Sequence, residues 1–269
     1  MRFALILTFV LALFSGAPLG AQESPLKPLL TLDDARGWDA VGRLNLGTTG
    51  FCTGTLIAPQ LVLTAAHCLF DKATGARIAP AEIAFLAGWR GGRAAAYRGA
   101  RRAVVAADYV YDGTEKLARV ADDLALIELD QPIRLASIRP FETGALPAKG
   151  DAVGVVSYAQ GRAEAASLQE VCHVLGQQPG VLVLSCKVDF GASGAPIFAI
   201  TGGVARVVSV VSAKAEIDGQ QVALGTSLAA PLADLRAALV EEDGVFYRAT
   251  PAIHLLSGHQ AGGAKFVRP

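Results

Sequence analysis

The 269 residues carry 24 Lys and Arg against 24 Asp and Glu, so the formal charge is zero, and 52% of the chain is hydrophobic. Such a balance generates no long-range field toward nucleic acid or an anionic membrane surface, and neither is expected as a partner. The length exceeds that of a minimal fold and suits one large all-β unit or two small packed ones with a full hydrophobic core.

In chain order, Arg2 followed by the apolar run Phe3 to Phe14 reads as the charged and hydrophobic parts of a signal peptide. The run falls short of the roughly 20 residues that span a bilayer. Small residues supply a cut after Ala21, with Ala17 as the second position. Residues 1–21 are therefore expected to be removed on export, leaving a secreted or periplasmic chain with no stable membrane insertion. Residues 22–37, with Pro25 and Pro28 among mixed charges, read as a leader that packs loosely.

From Trp38 short apolar runs alternate with Gly, Pro and Asp clusters: Ala40 to Leu46, Thr53 to Ile57, Leu61 to Thr64, Ile83 to Ala87, Ala103 to Ala106 and Leu124 to Leu129. Runs of this length predict strands, here of a first β-barrel over 38–130. Pro132, Pro140 and Pro147 then deny ladder hydrogen bonds, so 131–149 reads as a connector. The rhythm resumes with Ala152 to Ser157, Val171 to Leu175, Val181 to Val188, Pro196 to Ile200, Val204 to Ser212 and Val222 to Thr226. Leu228, Leu232, Leu235 and Leu239 recur at helical spacing, with Pro231 early and Gly244 beyond, predicting a helix from about Pro231 to Val240. Residues 150–240 thus read as a second barrel with its helix, and 241–269 as an extension. The expected fold is all-β: two packed antiparallel six-stranded barrels with a C-terminal helix.

All four cysteines, Cys52, Cys68, Cys172 and Cys186, lie in the mature part, and an even count in an exported chain argues for two disulfides. Three pairings are open. Proximity favours Cys52 with Cys68 and Cys172 with Cys186, each worth about 3 kcal/mol in the chain-entropy picture. Zinc would want closely spaced ligand pairs, which neither spacing provides, so no metal is expected. Asp108, Asp112 and Glu115 lack the loop pattern of a calcium site. The arginines Arg90, Arg93, Arg98, Arg101 and Arg102 read as a solvated loop and strand edge.

Cleaving an amide with a hydroxyl needs a base for the hydroxyl proton, an acid group that fixes the base's tautomer, and donors for the oxyanion. His67 ends a predicted strand in Thr64-Ala65-Ala66-His67-Cys68, beside a cysteine whose bridge would pin it. His173 lies in a predicted strand, and His254 and His259 in the tail, all in settings that suit structural or exposed roles. Asp123 directly precedes the run Leu124 to Leu129, which sets a carboxylate at the mouth of a buried strand. Asp122 is its rival, but alternation turns it to the opposite face, and Asp123 is favoured because it abuts the apolar run. Ser193 lies in Gly191-Ala192-Ser193-Gly194-Ala195-Pro196, a small-residue turn that lets a carbonyl approach the backbone closely. The N–H groups of Gly191 and Ser193 are the expected oxyanion donors.

The blocks Cys52-Thr53-Gly54-Thr55-Leu56-Ile57, Leu63 to Cys68, Asp123-Leu124-Ala125-Leu126 and Gly191 to Pro196 resemble the signatures of the chymotrypsin-fold (trypsin-like) serine peptidases. The chain order His, Asp, Ser agrees with that family. The α/β-hydrolases instead run Ser, Asp/Glu, His and want a glycine where Ala195 stands. The resemblance implies an exported serine endopeptidase acting on polypeptides through an acyl-enzyme, with no cofactor. His67 would be the general base, Asp123 its orienter and Ser193 the nucleophile, in a cleft between the barrels. Cys52 with Cys68 matches the family's bridge beside the histidine, whereas Cys172 with Cys186 rests on proximity.

Ala192 stands where the animal enzymes carry an aspartate that pairs with a newly cut N-terminus, and no Ile-Val-Gly-Gly-like start occurs near Trp38. The chain therefore leans toward bacterial exported branches resembling glutamyl endopeptidases, active once the signal is removed. Lys187 lies six positions before the nucleophile, where trypsin is acidic, so a preference for Arg or Lys is not expected. Val211, Ser212 and Ala213 are expected to form the wall of a narrow pocket. The alternatives are an esterase with the same three residues, or a secreted binding protein that keeps the fold with little or no turnover.

Overall fold

The computed structural model describes residues 23–47, 50–114 and 116–248. The expected signal peptide and most of the C-terminal extension lie outside the described residues. The strands are Lys27–Pro28 (β1), Val41–Leu46 (β2), Gly50–Ala58 (β3), Leu61–Thr64 (β4), Ile83–Ala87 (β5), Ala96–Val105 (β6) and Ala125–Leu129 (β7). They continue with Ala152–Ala159 (β8), Arg162–Gln178 (β9), Val181–Leu184 (β10), Pro196–Thr201 (β11), Val204–Ile217 (β12), Gln220–Ser227 (β13) and Phe246–Tyr247 (β14). Among the described residues there are also two α-helices, Lys116–Ala121 (α1) and Ala229–Glu241 (α2). Neither is long and apolar enough to cross a membrane.

All strand pairings are antiparallel. In the first sheet the order is β14-β6-β5-β2-β3-β4-β7, and β6 also pairs with β7, which closes six strands into a barrel. In the second the order is β1-β9-β10-β13-β12-β11-β8, and β8 pairs with β9 to close another six. Closure leaves few strand edges unpaired, the usual solution for short apolar strands of this kind. The interiors are filled by the buried residues of each strand, such as Leu44, Leu56, Leu63, Phe85 and Ile127 in the first barrel. Between the barrels Phe198 packs against Trp38 and Phe141, with ring centroids 5.1 and 4.6 Å away.

Each of the twelve expected strands has a counterpart, and β4 and β5 coincide with expectation to the residue. The largest extension is β9. Its first half contains Ser167 and Gln169, polar yet fully buried, which break the apolar run by which a strand is read from sequence. The same Gln169 explains a correction. The segment read as a loosely packed leader is held along β9: Gln169 Nε2 donates to the Ser24 carbonyl at 3.1 Å, Ser24 N–H donates to Val171 O at 2.9 Å, β1 pairs with Ser167 and Leu168, and Leu29 is buried. Helix α1 was not expected, and α2 begins two residues before the predicted start, burying Leu232, Leu235 and Leu239. Phe246 and Tyr247, within the expected extension, pair with β6.

Both favoured disulfides are present, Cys52–Cys68 and Cys172–Cys186, with Cα separations of 6.2 and 5.0 Å. They fit a chain that folds in an oxidising compartment.

Truncating Phe198 to Ala should empty the space between the barrels at a cost of about 3–5 kcal/mol. Urea unfolding should show the midpoint falling with an unchanged slope. A loss below about 1 kcal/mol would mean that this aromatic cluster does not fasten the barrels together.

Candidate active site

The first barrel sets the histidine. β4 ends at Thr64 and the chain tightens into a 3-10 turn, Ala66–Leu69, whose Cys68 is tied to Cys52 of β3. The neighbours Ala66 and Cys68 are buried, so His67 is fixed from both sides with its ring only partly exposed. Cys52, His67 and Cys68 offer three possible ligand atoms close together. Both sulfurs are engaged in the disulfide, which takes them out of service as thiolates.

Asp123 sits between α1 and β7 and is 2% exposed. Its Oδ2 lies 2.6 Å from His67 Nδ1, and its Oδ1 accepts the His67 backbone N–H at 2.8 Å. Ser212 Oγ donates to Oδ2 at 2.5 Å. The tautomer that donates from Nδ1 to this carboxylate is the one that leaves the lone pair on Nε2. The backbone of the loop is held as well. Thr226 Oγ1 donates to Val120 O at 2.7 Å and lies 3.3 Å from Asp123 O. Tyr109 is buried, and its hydroxyl pKa is pushed up by that burial and then by the Asp123 charge. Asp122 makes no hydrogen bond to the imidazole among the described residues, and burial followed by the nearby Asp108 raises its carboxyl pKa.

The second barrel delivers the serine turn. Ser193 O accepts the Thr53 N–H at 2.8 Å, and Gly194 N–H donates to Val211 O at 2.8 Å, fastening the turn to both barrels. Gly194 has φ +78°, and a Cβ there would overlap Thr64 Oγ1 and the Thr53 carbonyl. Only glycine lets the turn press against the strand that leads into His67. Gly191, at φ +94°, is packed equally close to the Phe51 ring, and its carbonyl accepts Thr53 Oγ1 at 2.9 Å. Among the described residues the N–H groups of Gly191 and Ser193 have no intramolecular acceptor. His67 and Asp123 are thus joined directly. The Ser193 turn is held by backbone contacts to Thr53 and Val211, and among the described residues its hydroxyl makes no hydrogen bond to the imidazole.

The expected pocket wall is distributed differently. Val211 is 2% exposed and belongs to the core of the second barrel. Ser212 is turned to Asp123, and the pairing of β12 with β13 shifts register between Val211 and Ala213. A bulge of this kind re-aims a side chain, which is how a strand with an apolar inner face presents a hydroxyl to a carboxylate. A cavity of about 430 Å³ lies behind the segment leading into the serine turn. Of the four expected pocket residues only Lys187 lines it, together with Arg162, Asp189, Lys214 and others. Burial lowers the Arg162 pKa, and the Asp189 charge opposes this. His67, Asp123 and Ser193 do not line this cavity.

Sequence reasoning missed Ser212 as a partner of Asp123, and it missed Thr226 and Lys214. A signal existed for the first two: a hydroxyl inside an apolar strand must find a partner when buried. Replacing Thr226 by the similarly shaped Val should strip the Val120 carbonyl of its donor. The expected loss is about 1–3 kcal/mol of stability, read by thermal or chemical unfolding. An unchanged stability would show that this hydroxyl does not hold the Asp123 loop.

The family model described as a trypsin-like peptidase domain matches residues 52–205, more than half of the chain. No curated protein matches the sequence. Among solved structures, a Glu endopeptidase in complex with MPD aligns at 16% identity and a TM-score of 0.61, covering 77% of this chain and 91% of that one. The scabies mite inactivated protease paralogue S-D1 aligns at 14% identity and a TM-score of 0.62, covering 82% and 97%. At such identities the likeness shows the fold alone.

Proposed function

Since this chain belongs to the trypsin-like peptidase domain family, we propose that it is an exported serine endopeptidase in which His67, Asp123 and Ser193 form the catalytic triad. The observation that carries this is the 2.6 Å contact between His67 Nδ1 and the buried Asp123 carboxylate, with the Ser193 turn packed against the same strand end.

In the proposed reaction His67 Nε2 takes the proton of Ser193 Oγ as that oxygen bonds to the scissile carbonyl carbon. The carbonyl becomes a tetrahedral oxyanion, received by the N–H groups of Gly191 and Ser193, which the fold leaves without internal acceptors. His67 then returns the proton to the departing amine as the carbon–nitrogen bond breaks, leaving an acyl-enzyme. Water repeats the sequence: His67 accepts its proton, the hydroxyl oxygen bonds to the acyl carbon, and Ser193 leaves with the proton. Asp123 keeps the imidazole in one tautomer and faces the positive charge that forms on it. No metal or organic cofactor takes part in this scheme. The substrate is a polypeptide, and Lys187 gives no reason to expect a basic residue before the cut. Cleavage after Ala21 would release the chain to a secreted or periplasmic location, with the two disulfides formed on the way.

A fluorophosphonate should label Ser193 in the wild type and fail with His67→Ala or Ser193→Ala, and casein should be digested. Ser193→Ala should lower kcat on the order of a millionfold, and Asp123→Asn by about ten-thousandfold. A folded wild type that never labels would instead be a secreted binding protein with the peptidase fold. Labelling and ester hydrolysis without casein digestion would make it an esterase.

A further inference from the structure

The loop Asp189 to Ser193 carries both proposed oxyanion donors, yet the residue before the nucleophile, Ala192, has no charge with which to anchor it. The loop is nonetheless tied at several points. Asp189 O accepts the Ala192 N–H at 2.9 Å, and Phe190 O accepts the Gln160 N–H at 2.6 Å. Asp189 Oδ1 accepts the Phe190 N–H at 2.8 Å and Lys214 Nζ at 2.9 Å. The Lys214 ammonium also lies 4.4 Å from the centre of the Phe190 ring. Lys214 stands on β12 two residues beyond Ser212, so the strand that orients the Asp123 carboxylate also sends a cation to the loop.

We propose that the Lys214–Asp189 ion pair positions the loop so that the Gly191 and Ser193 N–H groups face the substrate carbonyl, a task for which Ala192 supplies no charge. This rests on the peptidase assignment above. Lys214 and Asp189 are positioning residues: they act through the loop backbone and touch no reacting atom. The geometry suits the task because the far side of the loop is already held by Thr53 Oγ1 on the Gly191 carbonyl. The ion pair fixes the Asp189 end to a strand of a closed barrel. Lys214 and the Phe190 N–H hold the Asp189 carboxyl below its ordinary range. The pair is therefore ionised at neutral pH and is lost only on acidification through that lowered value. Both side chains are about half exposed, so salt should weaken the contact.

The test combines fluorophosphonate labelling rates with amide hydrogen exchange of segment 187–194 in the wild type, Lys214→Gln, Asp189→Asn, the double variant and Lys214→Arg. Each neutral single variant should label about 1.5- to fivefold more slowly, the scale of one exposed ion pair. The double variant should be no slower than either single one, and Lys214→Arg should recover most of the wild-type rate. Ionic strength near 1 M, where the Debye length is about 3 Å, should slow the wild type and leave Lys214→Gln unchanged. Exchange in the segment should rise in both single variants. Wild-type rates and exchange in Lys214→Gln and Asp189→Asn, or losses that multiply in the double variant, would overturn the proposal. A wild type that never labels would fail the peptidase assignment instead, and unchanged exchange would then still overturn the role of the pair.

Discussion

The structure around the site depends on one buried carboxylate. Asp123 is almost wholly removed from water, and an anion so placed is tolerated only when its oxygens are occupied by donors. Those donors come from both barrels: the backbone and ring of His67 from the first, and the hydroxyl of Ser212 from the second. Satisfying the carboxylate therefore docks the barrels in one arrangement and orients the imidazole at the same time. The demand for partners is what turns two separate sheets into a site.

β12 carries the second barrel's share of this arrangement. Within four residues, Val211 takes the Gly194 N–H on its carbonyl, Ser212 reaches Asp123, and Lys214 reaches Asp189. A regular strand would point Ser212 and Lys214 to one face. The shift in register beside Ser212 relaxes that alternation where three different targets must be met. On the first barrel the Cys52–Cys68 bridge fixes the turn bearing His67 to β3, and β3 also supplies Thr53, which holds the serine turn by its N–H and its side chain. β3 and β12 thus fasten the serine turn from opposite barrels.

The strand rhythm was legible because short β-branched and leucine runs between turn residues have few other uses, and closed barrels leave those runs intact. His67, Asp123 and Ser193 stood out through their neighbours: a strand end beside a cysteine, an acid at the start of an apolar run, and a serine among small residues. What escaped was set by tertiary pairing. Gln169 is polar in sequence and buried in the fold because the segment from Ser24 to Leu29 needs its amide. Ser212 was read as pocket wall together with its chain neighbours Val211 and Ala213, whereas the bulge and the carboxylate decide where it points. Lys214 lay just past the last residue assigned to that wall, and a surface lysine carries no local mark of the acid it will meet.

The central claim is that the imidazole held by Asp123 serves the hydroxyl of Ser193 while the Gly191 and Ser193 N–H groups receive the oxyanion. A crystal structure of the chain after reaction with a fluorophosphonate tests it most directly. The account predicts phosphorus bonded to Ser193 Oγ, one phosphoryl oxygen within about 2.7–3.1 Å of both N–H groups, and His67 Nε2 within about 3.2 Å of the adduct. An adduct on another residue, or a phosphoryl oxygen turned to solvent with the imidazole out of reach, would contradict it.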